Sequence, residues 1–109
     1  MDRLSEIHAP HSLRGIGPSG PGAEILKVLL VEDNPRDARM IREMLAEVKD
    51  DGFSLEYAEQ LSTALERLAE GGIDMVFLDL SLPDSRGFDT FAQAYARAPQ
   101  VPIIVLAGL

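Results

Sequence analysis

Two runs of apolar residues in this chain end in acid. Val28 to Val31 lead directly into Glu32 and Asp33, and Met75 to Leu78 lead directly into Asp79. In an open parallel α/β sheet, ligands bind beyond the carboxyl ends of the strands, where the strand order reverses. If the two runs are neighbouring strands, about 4.8 Å apart, three carboxylates converge on that edge. Two unit charges of like sign at ~5 Å repel by roughly 3 kcal/mol at an effective dielectric of 20. A hard divalent cation relieves that repulsion, and oxygen-only ligands suit Mg²⁺. The competing explanation is that Glu32 and Asp33 only lead into a helix, where acid favours the N-terminal dipole. It leaves Asp79 unexplained.

The elements that must position these acids can be read from hydrophobic periodicity. Ile25 to Val31 is too apolar for a one-sided strand and reads as one covered on both faces. Asn34 and Pro35 are a good N-cap and first helical residue. Ala38, Ile41, Met44, Leu45 and Val48 then follow at helical spacing, and Asp50, Asp51 and Gly52 end that helix. Phe53 to Ala58 alternates like a strand nearer the sheet edge. Leu61, Ala64, Leu65 and Leu68 line a second helix, stopped by Gly71 and Gly72. Met75 to Leu78 is a second fully buried strand, and Asp79 to Gly87 is a loop of turn formers. Phe88, Phe91, Ala92 and Tyr95 give a third helical stripe, and Ile103 to Leu106 a last strand. The order β-α-β-α-β-α-β predicts an α/β fold with a doubly wound parallel sheet.

The chain has 109 residues, no cysteine and a formal charge of −8, from 18 acidic and 10 basic residues. One domain is the most this length allows. Disulfide scaffolds and cysteine chemistry are excluded. The acidic balance argues against nucleic-acid binding, which needs clustered Lys and Arg. Apolar runs fall far short of the roughly 20 residues of a membrane helix, and the N-terminus lacks a secretion signal. A cytoplasmic protein without membrane contact is expected. Residues 1–24 are rich in Gly and Pro and read as a flexible leader, with a short helix near Leu4 and Ile7 as the alternative. His8 and His11 lie three apart there, but two ligands without a third make a poor metal site.

Val31 to Pro35 (VEDNP), then Leu78 to Pro83 (LDLSLP) and Gly87, resemble the receiver domain of two-component response regulators. That family carries an acidic pair after its first strand and an aspartate after its third, with proline four residues on and glycine eight residues on. Asp79, Pro83 and Gly87 keep that spacing. The resemblance covers Leu26 to Leu109 and implies a flavodoxin-like sheet. It makes Asp79 the phosphoacceptor, taking a phosphoryl group from a histidine kinase or a phosphotransfer protein. It makes Asp33 a direct Mg²⁺ ligand, Glu32 a helper through water, Asp79 a ligand as well, and the Ser81 carbonyl a further one. The backbone of Ser81 and the Gly108 N–H would face the phosphoryl oxygens. Pro83 and Gly87 would shape the loop, although both are also ordinary turn residues. The resemblance implies a signalling domain rather than an enzyme, controlling an output region outside this chain.

Two departures accompany the match. Ala107 stands where the family has Thr or Ser, so the switching hydroxyl is missing. No lysine follows Lys49, and the chain stops at Leu109. The expectation is therefore a receiver over residues 25–109, a fragment lacking its last strand and last two helices. Val28, Leu30, Ile103 and Val105 would be partly exposed, and the fourth strand would be an open edge offering self-association. These departures leave an alternative: a degenerate receiver acting as a phosphorylation-independent protein–protein interaction module. Other frames fit less well. An aspartate-nucleophile phosphohydrolase wants acid where Ser81 stands, and no Gly-x-Gly-x-x-Gly follows the first strand.

Overall fold

The computed structural model describes residues 4–8, 25–49 and 52–106. Ten elements follow in chain order: β1 (Leu4–His8), β2 (Leu26–Val31), α1 (Pro35–Lys49), β3 (Phe53–Ala58), α2 (Leu61–Glu70), β4 (Met75–Asp79), β5 (Ser81–Leu82), β6 (Ser85–Arg86), α3 (Phe88–Arg97) and β7 (Ile103–Leu106). Five strands form one sheet in the order β1-β7-β4-β2-β3. The strands β3, β2, β4 and β7 are mutually parallel, as predicted. The chain crosses from β2 to β3 on one side, and then to β4 on the other. The switch point therefore lies between β2 and β4, the strands that end in Glu32 and Asp79.

Alternation along the strands divides the core into two layers. Leu29, Val31, Val76, Leu78, Ile103 and Val105 meet Leu61, Ala64 and Leu68 of α2 and Ala94 of α3. Leu26, Val28, Leu30, Met75, Phe77, Ile104 and Leu106 meet Ala38, Ile41 and Leu45 of α1. The expectation from the sequence is that Val28, Leu30, Ile103 and Val105 are all partly exposed. Register decides otherwise. Val28 lies opposite Met75 and Val76 opposite Ile103, so the two pairs face opposite layers, and all four are buried.

The leader also departs from expectation. Leu4–His8 is neither a flexible stretch nor a short helix but a strand, paired antiparallel with β7 from Leu4↔Leu106 to His8↔Ile103. A bare β7 would present a row of unsatisfied N–H and C=O groups, and this pairing covers them. The fourth parallel strand is thus not the open edge that the sequence implied. The rest of the leader, residues 1–3 and 9–24 with His11, lies outside the described residues, as do Asp50 and Asp51.

Two apolar stripes are corrected. Val48 is exposed at the end of α1. On α3 the buried residues are Thr90 and Ala94, with Phe91 packed partly buried against the same core. Phe88 and Tyr95 stand half or more exposed at the rim, in a ladder with Phe91.

Candidate functional site

The acids lie at the carboxyl edge of β2 and β4. Glu32 continues the β2 ladder, its N–H donating to the Ala58 carbonyl at 2.9 Å. It is 4% exposed, and one of its carboxylate oxygens accepts the Asn34 N–H at 3.3 Å. Asp33 is exposed one residue later. Asn34 then caps α1: its Oδ1 accepts the N–H of Arg36 at 2.9 Å and of Asp37 at 3.4 Å. These bonds satisfy first-turn N–H groups that have no partner within the helix. Pro35 at the first helical position has no N–H to satisfy. The side-chain bonds of the short turn from strand to helix are thus made within the turn itself.

Asp79 ends β4 and is half-buried. The Ser81 N–H donates to its Oδ1 at 2.9 Å, so one carboxylate oxygen is oriented by the chain that follows. Glu32, Asp33 and Asp79 each offer an oxygen, and these oxygens lie within 4.8 Å of one another. Among the described residues this is the one group of acids and histidines placed to share a cation. The donor set is entirely carboxylate, which fits a hard divalent cation rather than a soft one. An open cleft of about 380 Å³ runs from Glu32 and Asp33 past Arg39 and Arg42 of α1 to Tyr57 and Glu59.

The loop after Asp79 is more ordered than its turn-rich sequence suggested. Ser81–Leu82 and Ser85–Arg86 pair as a small antiparallel hairpin, with Pro83 and Asp84 as its two-residue tip. The fixed φ of proline suits the first turn position. Leu82 is 1% exposed, plugged into the α2/α3 layer of the core. Gly87 closes the hairpin: its N–H donates to the Leu80 carbonyl at 2.7 Å, and its carbonyl accepts the Thr90 N–H at 3.0 Å. Its φ of 74° with ψ of −155° is a conformation that essentially only glycine adopts. A Cβ there would meet nothing within 4 Å, so the backbone and not crowding requires glycine.

Of the residues singled out from the sequence, Glu32, Asp33, Asp79 and Ser81 are brought together, with Pro83 and Gly87 in the hairpin that carries Ser81. Ala107 and Gly108 lie outside the described residues. Sequence reasoning missed two residues that hold this loop, one in it and one in α3. Thr90 is wholly buried and shares a 2.6 Å hydrogen bond with the Ser85 hydroxyl. Asp84 reaches back to α2, where its two carboxylate oxygens accept the N–H groups of Leu61 at 2.7 Å and Ser62 at 2.9 Å. Those two bonds hold its carboxyl below the usual aspartate range. The only local signal was an acid beside a proline, which reads equally well as a turn.

Comparisons with known proteins agree with this geometry. The swarming motility regulation protein RssB of Serratia marcescens is 32% identical over 83 residues, covering 76% of this chain and 36% of RssB. The chain spans about a third of the length of the curated relatives it matches. The phosphorylated cyanobacterial phytochrome response regulator RcpA superposes with a TM-score of 0.63 at 28% identity, covering 74% of this chain and 64% of that one. The receiver domain of the sensor histidine kinase PA1611 from Pseudomonas aeruginosa PAO1, with a magnesium ion in its active-site cleft, has a TM-score of 0.63 at 26% identity. That match covers 74% of this chain and 66% of that one. These likenesses do not favour the phosphorylation-independent alternative. The model of the response regulator receiver domain matches residues 28–108. With the acid-edged, doubly wound sheet, that match means that the chain belongs to the receiver domain family of two-component signalling.

Proposed function

We propose that this domain accepts a phosphoryl group on Asp79 from a phosphohistidine of a histidine kinase or phosphotransfer protein, with Mg²⁺ as cofactor. The observation that carries the reading is the convergence of Glu32, Asp33 and Asp79 within 4.8 Å at the switch point of the sheet. In the transfer, one oxygen of Asp79 forms a bond to phosphorus while the bond from phosphorus to the donor imidazole nitrogen breaks. The imidazole leaves with the electron pair. Such a reaction needs positioning and charge neutralisation more than acid–base work.

This chain supplies the positioning. The Ser81 N–H donates to Oδ1 of Asp79 and so orients the carboxylate that would attack. Asp33, Asp79 and the Ser81 carbonyl would hold the Mg²⁺, with Glu32 acting through water. Bound there, the cation would neutralise the phosphoryl oxygens that the acids would otherwise repel. The backbone of Ser81 and the Gly108 N–H are proposed to face those oxygens, while Pro83 and Gly87 keep the hairpin in place. Ala107 lacks the hydroxyl that the family uses to couple phosphorylation to shape, which predicts a weakened switch. The output region, the residence in the cytoplasm and the non-enzymatic role belong to the same reading. So does the boundary between a leader over residues 1–24 and a receiver over 25–109. Among the described residues no helix is long and apolar enough to cross a membrane. Incubation with Mg²⁺ and acetyl phosphate tests the proposal: a gain of one phosphoryl group that disappears in Asp79→Asn supports it, and a gain that survives in Asp79→Asn contradicts it.

A further inference from the structure

Helix α2 begins without a cap of its own. Gln60 holds the N-cap position in an extended conformation, and its side chain makes no capping bond. The first-turn N–H groups of Leu61 and Ser62 go instead to Asp84, 23 and 22 residues away in sequence. Asp84 is at the tip of the hairpin whose base is Asp79. Hairpin strands of two residues each do not hold themselves together, so its geometry depends on what grips it. Three grips are present: Leu82 in the core, Ser85 on Thr90 of α3, and Asp84 on α2. The first two act behind and beyond the turn. Among the described residues, Asp84 is the grip on the tip itself.

We propose that Asp84 is a positioning residue for the phosphoacceptor site. By fastening the hairpin tip to the start of α2, it fixes Ser81 relative to Asp79, and the hairpin relative to the β3–α2 turn beside the acidic cleft. A carboxylate suits the task because its two oxygens accept two N–H groups at once, and because negative charge is favoured at a helix N-terminus. The inference rests on the reading of Asp79 as the phosphoacceptor, but the fastening itself can be tested without it.

The difficulty is to separate positioning from plain capping of α2, and Gln60 offers the means. Gln60→Asp places a local cap on α2 without touching the hairpin. We compare the full chain, Asp84→Ala, and Asp84→Ala with Gln60→Asp by three readouts. These are the melting temperature, amide exchange at Ser81 and Gly87 relative to the β4 amides, and the Mg²⁺ dependence of phosphorylation by acetyl phosphate. Asp84→Ala is expected to lower the melting temperature, and Gln60→Asp to restore it. With the cap restored, Ser81 and Gly87 still exchange about tenfold faster than in the parent, as expected for a segment that has lost charge-assisted bonds. The Mg²⁺ concentration giving half-maximal rate stays raised, while the rate at saturating Mg²⁺ changes less. Asp84→Asn, which keeps one acceptor, falls between. Parent-like exchange and Mg²⁺ dependence in the double variant would overturn the proposal and leave Asp84 a helix cap. If the parent chain takes up no phosphoryl group, the acceptor reading fails, and the exchange rates alone decide whether Asp84 fastens the hairpin.

Discussion

The two turns that deliver acid to the carboxyl edge of the sheet are built in opposite ways. The turn after β2 is short and its side-chain bonds to the backbone are local: Glu32 accepts from Asn34, and Asn34 caps the helix that it starts, while the Glu32 N–H stays on the ladder to Ala58. The segment after β4 runs from Asp79 to Gly87 and is held from a distance, by Leu82 in the core, Asp84 on α2 and Ser85 on Thr90. The first turn can be written in five consecutive residues. The second requires partners up to 23 residues away. The proposed site thus has one wall held mainly by local side-chain bonds and one that depends on tertiary packing.

The contrast can be broken most severely at Leu82. Leu82→Ala removes a wholly buried side chain from the α2/α3 layer and should destabilise the domain by about 2–5 kcal/mol, measured by urea unfolding. A loss under about 1 kcal/mol, nearer the size of a surface change, would mean that the hairpin is not anchored in the core. Gly87→Ala comes next. Its Cβ has room, but φ of 74° is strained for alanine, and a cost of about 1–3 kcal/mol is expected from thermal unfolding. Asn34→Ala probes the local wall and should cost about 1 kcal/mol, with Asn34→Ser recovering most of it.

The smallest effect is a pH dependence. The Asp84 carboxyl is held below its ordinary value of 3.8, first by the Leu61 N–H and then by that of Ser62. A lowered folded-state value means a contribution that is complete above the ordinary value and is lost as pH falls through the lowered one. The stability gap between the parent and Asp84→Ala should therefore stay constant from neutrality down to about pH 5 and narrow below 3.8. Urea midpoints at stepped pH would show it, and a gap that widens in acid would contradict the assignment.

The same contrast explains how much of the molecule was legible in its sequence. Periodicity gave the four parallel strands and three helices, because buried strands and amphipathic helices leave a local imprint. The acids were legible because each follows its strand immediately. Partners across space were not. Register set the layer of Ile103 and Val105, and no single segment encodes register. On α3 the small residues Thr90 and Ala94 are buried while Phe88 and Tyr95 of the aromatic ladder stand exposed, a choice of face that the apolar stripe alone did not reveal. Leu4–His8 has no strong strand pattern, and its strand is specified by the edge of β7 that it covers. Asp84 looked like a turn residue because its partners lie in another element.

The account rests on Asp79 as the phosphoacceptor. Its most direct test is the intact mass of the chain before and after incubation with Mg²⁺ and acetyl phosphate, beside Asp79→Asn and a sample with the metal chelated. We predict a gain of one phosphoryl group in the parent alone, absent in Asp79→Asn and absent without Mg²⁺. An unchanged parent mass, or an equal gain in Asp79→Asn, would contradict it.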